Sequence, residues 1–147
     1  MTRIDFAFGA TDRLRAACQV ARKRYLAGQR LIVFCRDNTR LSAFDRLLWT
    51  FDDTSFVPHV WATDVLAANT PVVLTTESPS HLLPDHSEES WLMNLDDQCP
   101  PSFDGFTRLL EVVSTLPEDV QAARQRWREY QAAGHTLHGH DLAGRLA

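Results

Sequence analysis

The chain has 147 residues, of which 44% are hydrophobic and 23% charged, and its formal net charge is −4. A single domain of this length buries roughly 70% of the surface its unfolded chain exposes, so its core needs no metal or disulfide staple. The acidic balance excludes a protein whose main work is to coat DNA or RNA, which calls for a basic excess.

In chain order, IDFAF (Ile4–Phe8) reads as a first strand. Thr11 or Asp12 then caps a helix running to about Ala27, where Leu14, Ala17, Cys18, Ala21 and Tyr25 recur at spacings of three and four and Gly28 supplies the stop. RLIVFC (Arg30–Cys35) is a short apolar run of strand formers, which suits a central strand covered on both faces. Asp37, Asn38 or Thr39 can cap a second helix that carries Leu41, Phe44, Leu47 and Leu48 and leads to Trp49. This alternation argues for a right-handed βαβ unit in a parallel sheet.

SFVPH (Ser55–His59) is extended, because Pro58 disfavours helix at Val57. PVVLTT (Pro71–Thr76), WLMNL (Trp91–Leu95) and FTRLLEVVS (Phe106–Ser114) read as further strands, the last with a short helix as its alternative. A final helix spans Pro117 to Ala133, with Thr115 and Glu118 at capping-box spacing, Pro117 in the first turn and Gly134 as the stop. The expected fold is a Rossmann-like, mostly parallel sheet of about five strands flanked by helices. Residues 1–134 form one α/β domain, and residues 135–147 form a flexible C-terminal tail.

Charge is unevenly placed. Residues 13–30 hold six basic groups and no acid, and residues 77–104 hold seven acids and no base. The first run reads as the solvated face of a helix, the second as a solvated loop region. Cys18, Cys35 and Cys99 are odd in number and form no CxxC, which points to free thiols in a reducing compartment. MTRIDFAFGA lacks the apolar core of a signal peptide, and no apolar run approaches the roughly 20 residues of a membrane span. A cytoplasmic location with no membrane contact is expected.

Catalytic signatures are missing. The first strand-to-helix turn reads GATDR, not the G-x-G-x-x-G that admits a pyrophosphate, and no GxxxxGK[ST] loop or G-x-S-x-G elbow occurs. No cofactor is implied. Cys35 and Asp37 follow the second strand, where an open sheet would carry a catalytic group. A small enzyme built on them is an alternative, set against a buried thiol and a helix cap. His135, His138 and His140 match no standard zinc spacing and read as tail. His81 and His86 flank Asp85 in a loop, with nothing to fix their geometry.

Two aromatic clusters suggest recognition instead. Trp49, Phe56 and Trp61, with Phe51, crowd a polar connector that offers little apolar shelter. In the last helix Val120, Ala123, Trp127 and Tyr130 make a stripe bordered by Arg124, while Arg126 and Arg128 point elsewhere and read as solvated. Three readings of Arg124 and Trp127 stay open. They are core packing with a snorkelling arginine, a clamp for single-stranded nucleic acid, and a socket for an acidic peptide that ends in an apolar residue.

GQRLIVFCRD with the helix ending in LLW (Gly28–Trp49), SFVPH, and LPEDVQAARQRWREYQAAG together resemble the chi subunit family of the bacterial DNA polymerase III holoenzyme, in order, spacing and total length. The resemblance implies a non-enzymatic α/β subunit of the clamp-loader assembly. It implies a psi-binding surface at Trp49, Phe56, Val57 and Pro58, shared with an alternative helicase partner. It also implies a pocket at Leu116, Arg124 and Trp127 for the acidic C-terminal tail of single-stranded DNA-binding protein. DNA would then be met mainly through the protein that coats it.

Overall fold

The computed structural model describes residues 2–52, 54, 56–82 and 90–142. His86, Asp85, Glu88, Glu89 and the last five residues of the expected tail lie outside that range. The order is β1 (Arg3–Ala10), α1 (Arg13–Leu26), β2 (Arg30–Phe34), α2 (Asn38–Thr50), β3 (His59–Trp61), β4 (Val72–Thr75), β5 (Ser90–Asn94), β6 (Arg108–Ser114), α3 (Pro117–Ala132) and β7 (Thr136–Asp141). Short 3-10 turns lie at Ala67–Asn69, Pro79–Leu82 and Phe103–Gly105. The seven strands form one sheet in the order β3-β4-β2-β5-β6-β1-β7, and every pairing is parallel.

The two first helices start where the sequence provides a carboxylate cap. Asp12 accepts from the Arg15 amide at 3.2 Å, and Asp37 accepts from the Thr39 and Arg40 amides at 3.0 and 3.3 Å. Lys23 and Arg24 in the last turn of α1 complement the negative end of its dipole. The expected capping box of α3 does not form. Leu116 occupies the cap position without a side-chain bond, and Ser114 takes over by accepting from the Leu116 amide and donating to Asp119.

A parallel sheet needs cover on both faces. One face receives α1 and α2, whose Ala17, Cys18, Ala21, Leu41, Phe44 and Leu48 pack on Leu31, Val33, Leu74 and Met93. The other face receives α3, whose Ala123 and Tyr130 pack on Ile4, Phe6, Leu109 and Val113, with Phe106 completing that core. Among the described residues this second face has one long helix for the whole sheet. That leaves a strip of β1 and β6 beside α3 uncovered.

The tail expectation needs correction. Thr136–Asp141 pairs in parallel with β1 from Arg3↔Thr136 to Phe8↔Asp141. Its composition is poor for a strand, and long-range bonds hold it. His140 Nε2 lies 3.0 Å from Asp5, and the Thr2 amide donates to His135 at 3.2 Å. With β3 it raises the strand count above the expected five.

The charge runs also differ from their solvated reading. Arg13 is buried, donating to the carbonyls of Val112 and Asp96 at 2.8 and 2.9 Å. Burial and the nearby Arg126 charge lower its pKa. Asp96 is likewise buried and takes Arg36 at 2.9 Å, while Asp97 pairs with Arg40 at 2.9 Å. These pairs close the end of the sheet above β5 and β6.

Candidate functional site

The uncovered strip beside α3 is a groove of about 440 Å³. Phe6 and Phe8 of β1, Val113 of β6, and Val120, Ala123 and Trp127 of α3 form its walls. Gly9, at φ +83°, sits in a bulge where the β1–β6 register shifts, a backbone angle that glycine adopts at no steric cost. Gly9, Ser114 and Thr115 line the groove at this end of β1 and β6.

Trp127 is half-buried, its ring 5.0 Å from Phe6 at 59°, so the indole is a held wall and not a mobile flap. Arg124, one turn earlier, is exposed on the rim and has no hydrogen bond or ion pair among the described residues. An unpaired guanidinium beside an apolar groove can bind a carboxylate in a bidentate fork while the groove takes an apolar side chain.

Leu116 is not in this groove. It is 53% exposed at the cap of α3 and faces the adjoining cleft with Arg13, Arg40 and Asp119. Thr115, expected only as a helix cap, lines the groove in its place.

The largest correction concerns Arg126. It is buried, its Nε donating to both oxygens of the wholly buried Glu111 at 3.1 Å, and it donates to the Asp97 carbonyl at 3.0 Å. Tyr130 OH and Asn94 Nδ2 complete the Glu111 carboxylate at 2.6 and 2.9 Å. Burial works to lower the Arg126 pKa, but the Glu111 charge outweighs it and holds the guanidinium above its ordinary value. Burial and Glu111 both push the Tyr130 phenol far up. The network clamps α3 to β6 and so sets where Arg124 and Trp127 stand. Arg128 is exposed, as expected.

The second surface lies across the sheet. Trp49 ends α2 and is 47% exposed, and Phe56 in the following connector is 65% exposed. The two rings are 5.3 Å apart, and Trp49 also rests 4.2 Å from the His59 ring. Asp45 braces the floor, lying 2.8 Å from His59 Nε2 and accepting from Trp61 Nε1 at 3.3 Å. Pro58 is half-buried beside them. Val57 is fully buried in the core, so it supports this patch from below and does not present a side chain to it.

The residues of the enzyme alternative are otherwise engaged. Cys35 is fully buried, its thiol directed at the Leu95 carbonyl at 3.5 Å, and burial pushes its pKa up to about 11. A thiol held protonated is a poor nucleophile. Asp37 is spent on its helix cap. His135 and His140 pair within the fold, and no three potential ligands cluster to hold a metal among the described residues. No helix among them is long and apolar enough to cross a membrane.

The fold defines a small Rossmann-like α/β domain with an all-parallel sheet, an apolar groove on one face and an exposed aromatic pair on the other. The chain belongs to the family described as DNA polymerase III chi subunit, HolC, whose family model matches residues 1–138. It is 32% identical over 146 residues to the DNA polymerase III subunit chi of Pseudomonas aeruginosa, covering 97% of this chain and 98% of the relative. The subunits chi of Escherichia coli K12 and Haemophilus influenzae are similar at 27% and 23% identity, each over 82% of this chain and 79% and 81% of their own lengths. The chain is thus a replication protein, an accessory subunit of DNA polymerase III.

Proposed function

We propose that the chain is a non-enzymatic adaptor in the clamp-loader assembly of a cytoplasmic bacterial polymerase. It bridges the psi subunit, on the Trp49–Phe56 patch, to the C-terminal tail of single-stranded DNA-binding protein, in the Arg124–Trp127 groove. An alternative helicase partner uses the same patch as psi. The observation that carries this reading is the Arg124 guanidinium, unpaired among the described residues, at the rim of an apolar groove walled by Trp127. A chain end with a terminal carboxylate and an apolar last side chain satisfies both features at once.

Thr115 at the end of the groove and Leu116 in the adjoining cleft meet the tail upstream of its last residue. Val57 and Pro58 hold Phe56 outward for psi. Direct single-strand binding along α3 is the weaker reading, because Arg126 is withdrawn into the Glu111 pair and the remaining arginines, Arg124 and Arg128, form no basic stripe.

A crossed titration tests the proposal. Calorimetry of a tail peptide should show about tenfold or weaker binding to Arg124→Ala than to wild type, the cost of a charge-assisted pair, with psi binding intact. Phe56→Ala should give the mirror result. Loss of both partners with either variant would show that the two surfaces are not separate, and an unchanged peptide affinity in Arg124→Ala would sink the groove.

A further inference from the structure

A second cleft opens on the α1 face of the sheet, at the end where β1 and β6 begin and α1 ends. Its volume is about 250 Å³, and its chemistry is the opposite of the protein's acidic average. Arg3, Lys23, Arg24 and Arg108 line it, with His140, and they outnumber the one carboxylate available on this face, Asp5. That carboxylate is fully used. It takes Arg3 at 3.3 Å, Arg108 at 3.0 Å and His140 at 3.0 Å. Glu111, whose backbone borders the cleft, is committed to Arg126 on the opposite face.

Two of the cations, Arg108 from that cluster and Arg24, which also donates to Gln29 at 2.9 Å, are held close by an aromatic side chain. Arg24 and Arg108 stack over the Trp91 ring at 4.7 and 4.2 Å from its centroid. Cation–π contact can hold two guanidiniums, but it does not cancel their mutual repulsion. Burial, and then repulsion from Arg108, lower the Arg24 pKa. Lys23 stands exposed at the rim with no ion-pair partner among the described residues. Trp91 and Arg108 both line the cleft, and among the described residues the buried Trp91 Nε1–H and Arg108 Nε–H have no hydrogen-bond acceptor. Buried donors without acceptors are uncommon and costly. Excess positive charge and two guanidiniums with donors in fixed fork geometry suit such a cleft to an anion.

We propose that this cleft is a phosphate site, engaged by Lys23, Arg24 and Arg108 around Trp91. The phosphate is either a diester of a single DNA strand passing the polymerase assembly or a free phosphate group of a small molecule. A strand is the favoured source, since a DNA polymerase subunit works beside one. The site lies on the face of the sheet opposite the Arg124 groove, so a subunit holding a protein tail on one side could touch the template on the other.

The test is a nitrogen–proton NMR titration of the full chain, reading the Trp91 and Trp127 indole resonances separately. The probes are pyrophosphate, a short oligothymidylate and an acidic peptide. Oligothymidylate and pyrophosphate should both move Trp91 and leave Trp127 in place. Lys23→Gln and Arg24→Gln should each weaken binding about tenfold, and Arg128→Gln should not change it. Tighter binding of the oligonucleotide identifies a strand, and binding of pyrophosphate alone identifies a free phosphate. Movement of Trp91 by the acidic peptide only, no movement with any probe, or equal weakening by Arg128→Gln would overturn the proposal. A tail peptide that moves Trp127 in the same sample keeps this outcome separate from that of the groove.

Discussion

The Arg124–Trp127 groove and the Trp49–Phe56 patch both expose aromatic surface, yet they are built differently. The groove is concave, and its indole is held by Phe6 from the sheet and by the clamp of α3 on Glu111. The patch is an exposed pair of rings that lean on each other, with Trp49 also on His59. A concave wall with one charge selects a chain end, because a terminus alone brings a carboxylate and a side chain to one point. An exposed aromatic pair selects area. Burying one such ring against a partner contributes about 1.5–3 kcal/mol, with little demand on direction. The groove therefore depends on buried polar geometry far from its rim, whereas the patch depends on its own surface rings.

The largest expected effect breaks that dependence. Arg126→Ala leaves Glu111 charged and buried with only Tyr130 and Asn94 as donors. It should cost about 3–5 kcal/mol in urea unfolding, the usual penalty for removing one partner of a buried pair. Under conditions where the variant remains folded, tail binding should fall and psi binding should hold. Equal loss of both partners would mean that α3 does not set the groove independently.

This dependence was only half legible in the sequence. Helix limits followed from Asp12, Asp37 and Pro117, and the apolar runs marked β2, β4, β5 and β6, because those signals are local. The strand β7 was hidden, since TLHGHD has neither alternation nor β-rich composition and is held by pairing with β1. Arg126 was misread through one helical-wheel step. It stands three residues after Ala123 and four before Tyr130, on the inward face, while Arg124 and Trp127 share the rim. The missed signal was Glu111, a single acid in the apolar run LLEVV, which needed a buried cation. In the patch, the polar connector marked some of Trp49, Phe51, Phe56 and Trp61 as exposed without telling which, and Val57 was not recognisable as core without the fold.

At the patch, Trp49→Ala should weaken psi by about 2 kcal/mol, the range of a central aromatic in an interface. Stability should change little, because nearly half of the ring is already in water. Surface plasmon resonance with immobilised psi, next to a tail-peptide titration, reads both. A stability loss equal to that of a buried aromatic would recast the patch as core.

Acid should separate the two regions in another way. Asp5 is desolvated, which alone would raise its pKa, but bonds from His140, Arg3 and Arg108 outweigh burial and hold it below the usual carboxylate value. Its contribution is therefore present above the unfolded pKa of 3.8 and is lost as pH falls through the lower folded value. Hydrogen exchange should show β7 loosening in that acid window before β3 and the patch respond. Asp5→Asn should show looser β7 amides at neutral pH and no further difference from wild type once the window is passed. Simultaneous opening of β3 and β7 would make the sheet one cooperative unit.

The smallest effect locates the end of the groove. Leu116 is exposed and faces the neighbouring cleft, so a tail seated with its carboxylate on Arg124 reaches Leu116 only with upstream residues. Those residues are solvated on their other side, and truncating the leucine removes only part of its side-chain burial. Leu116→Ala should therefore weaken a long tail peptide about twofold to threefold, well below the about 1.5–3 kcal/mol of full leucine burial. It should leave a peptide of the last two or three residues unaffected. If the short peptide lost as much as the long one, the carboxylate would have to sit nearer Leu116 than Arg124. The anchoring cation would then be Arg13 or Arg40 in the adjoining cleft, both of which already hold protein carbonyls and Asp97. Their commitment is the physical reason to expect the anchor at Arg124.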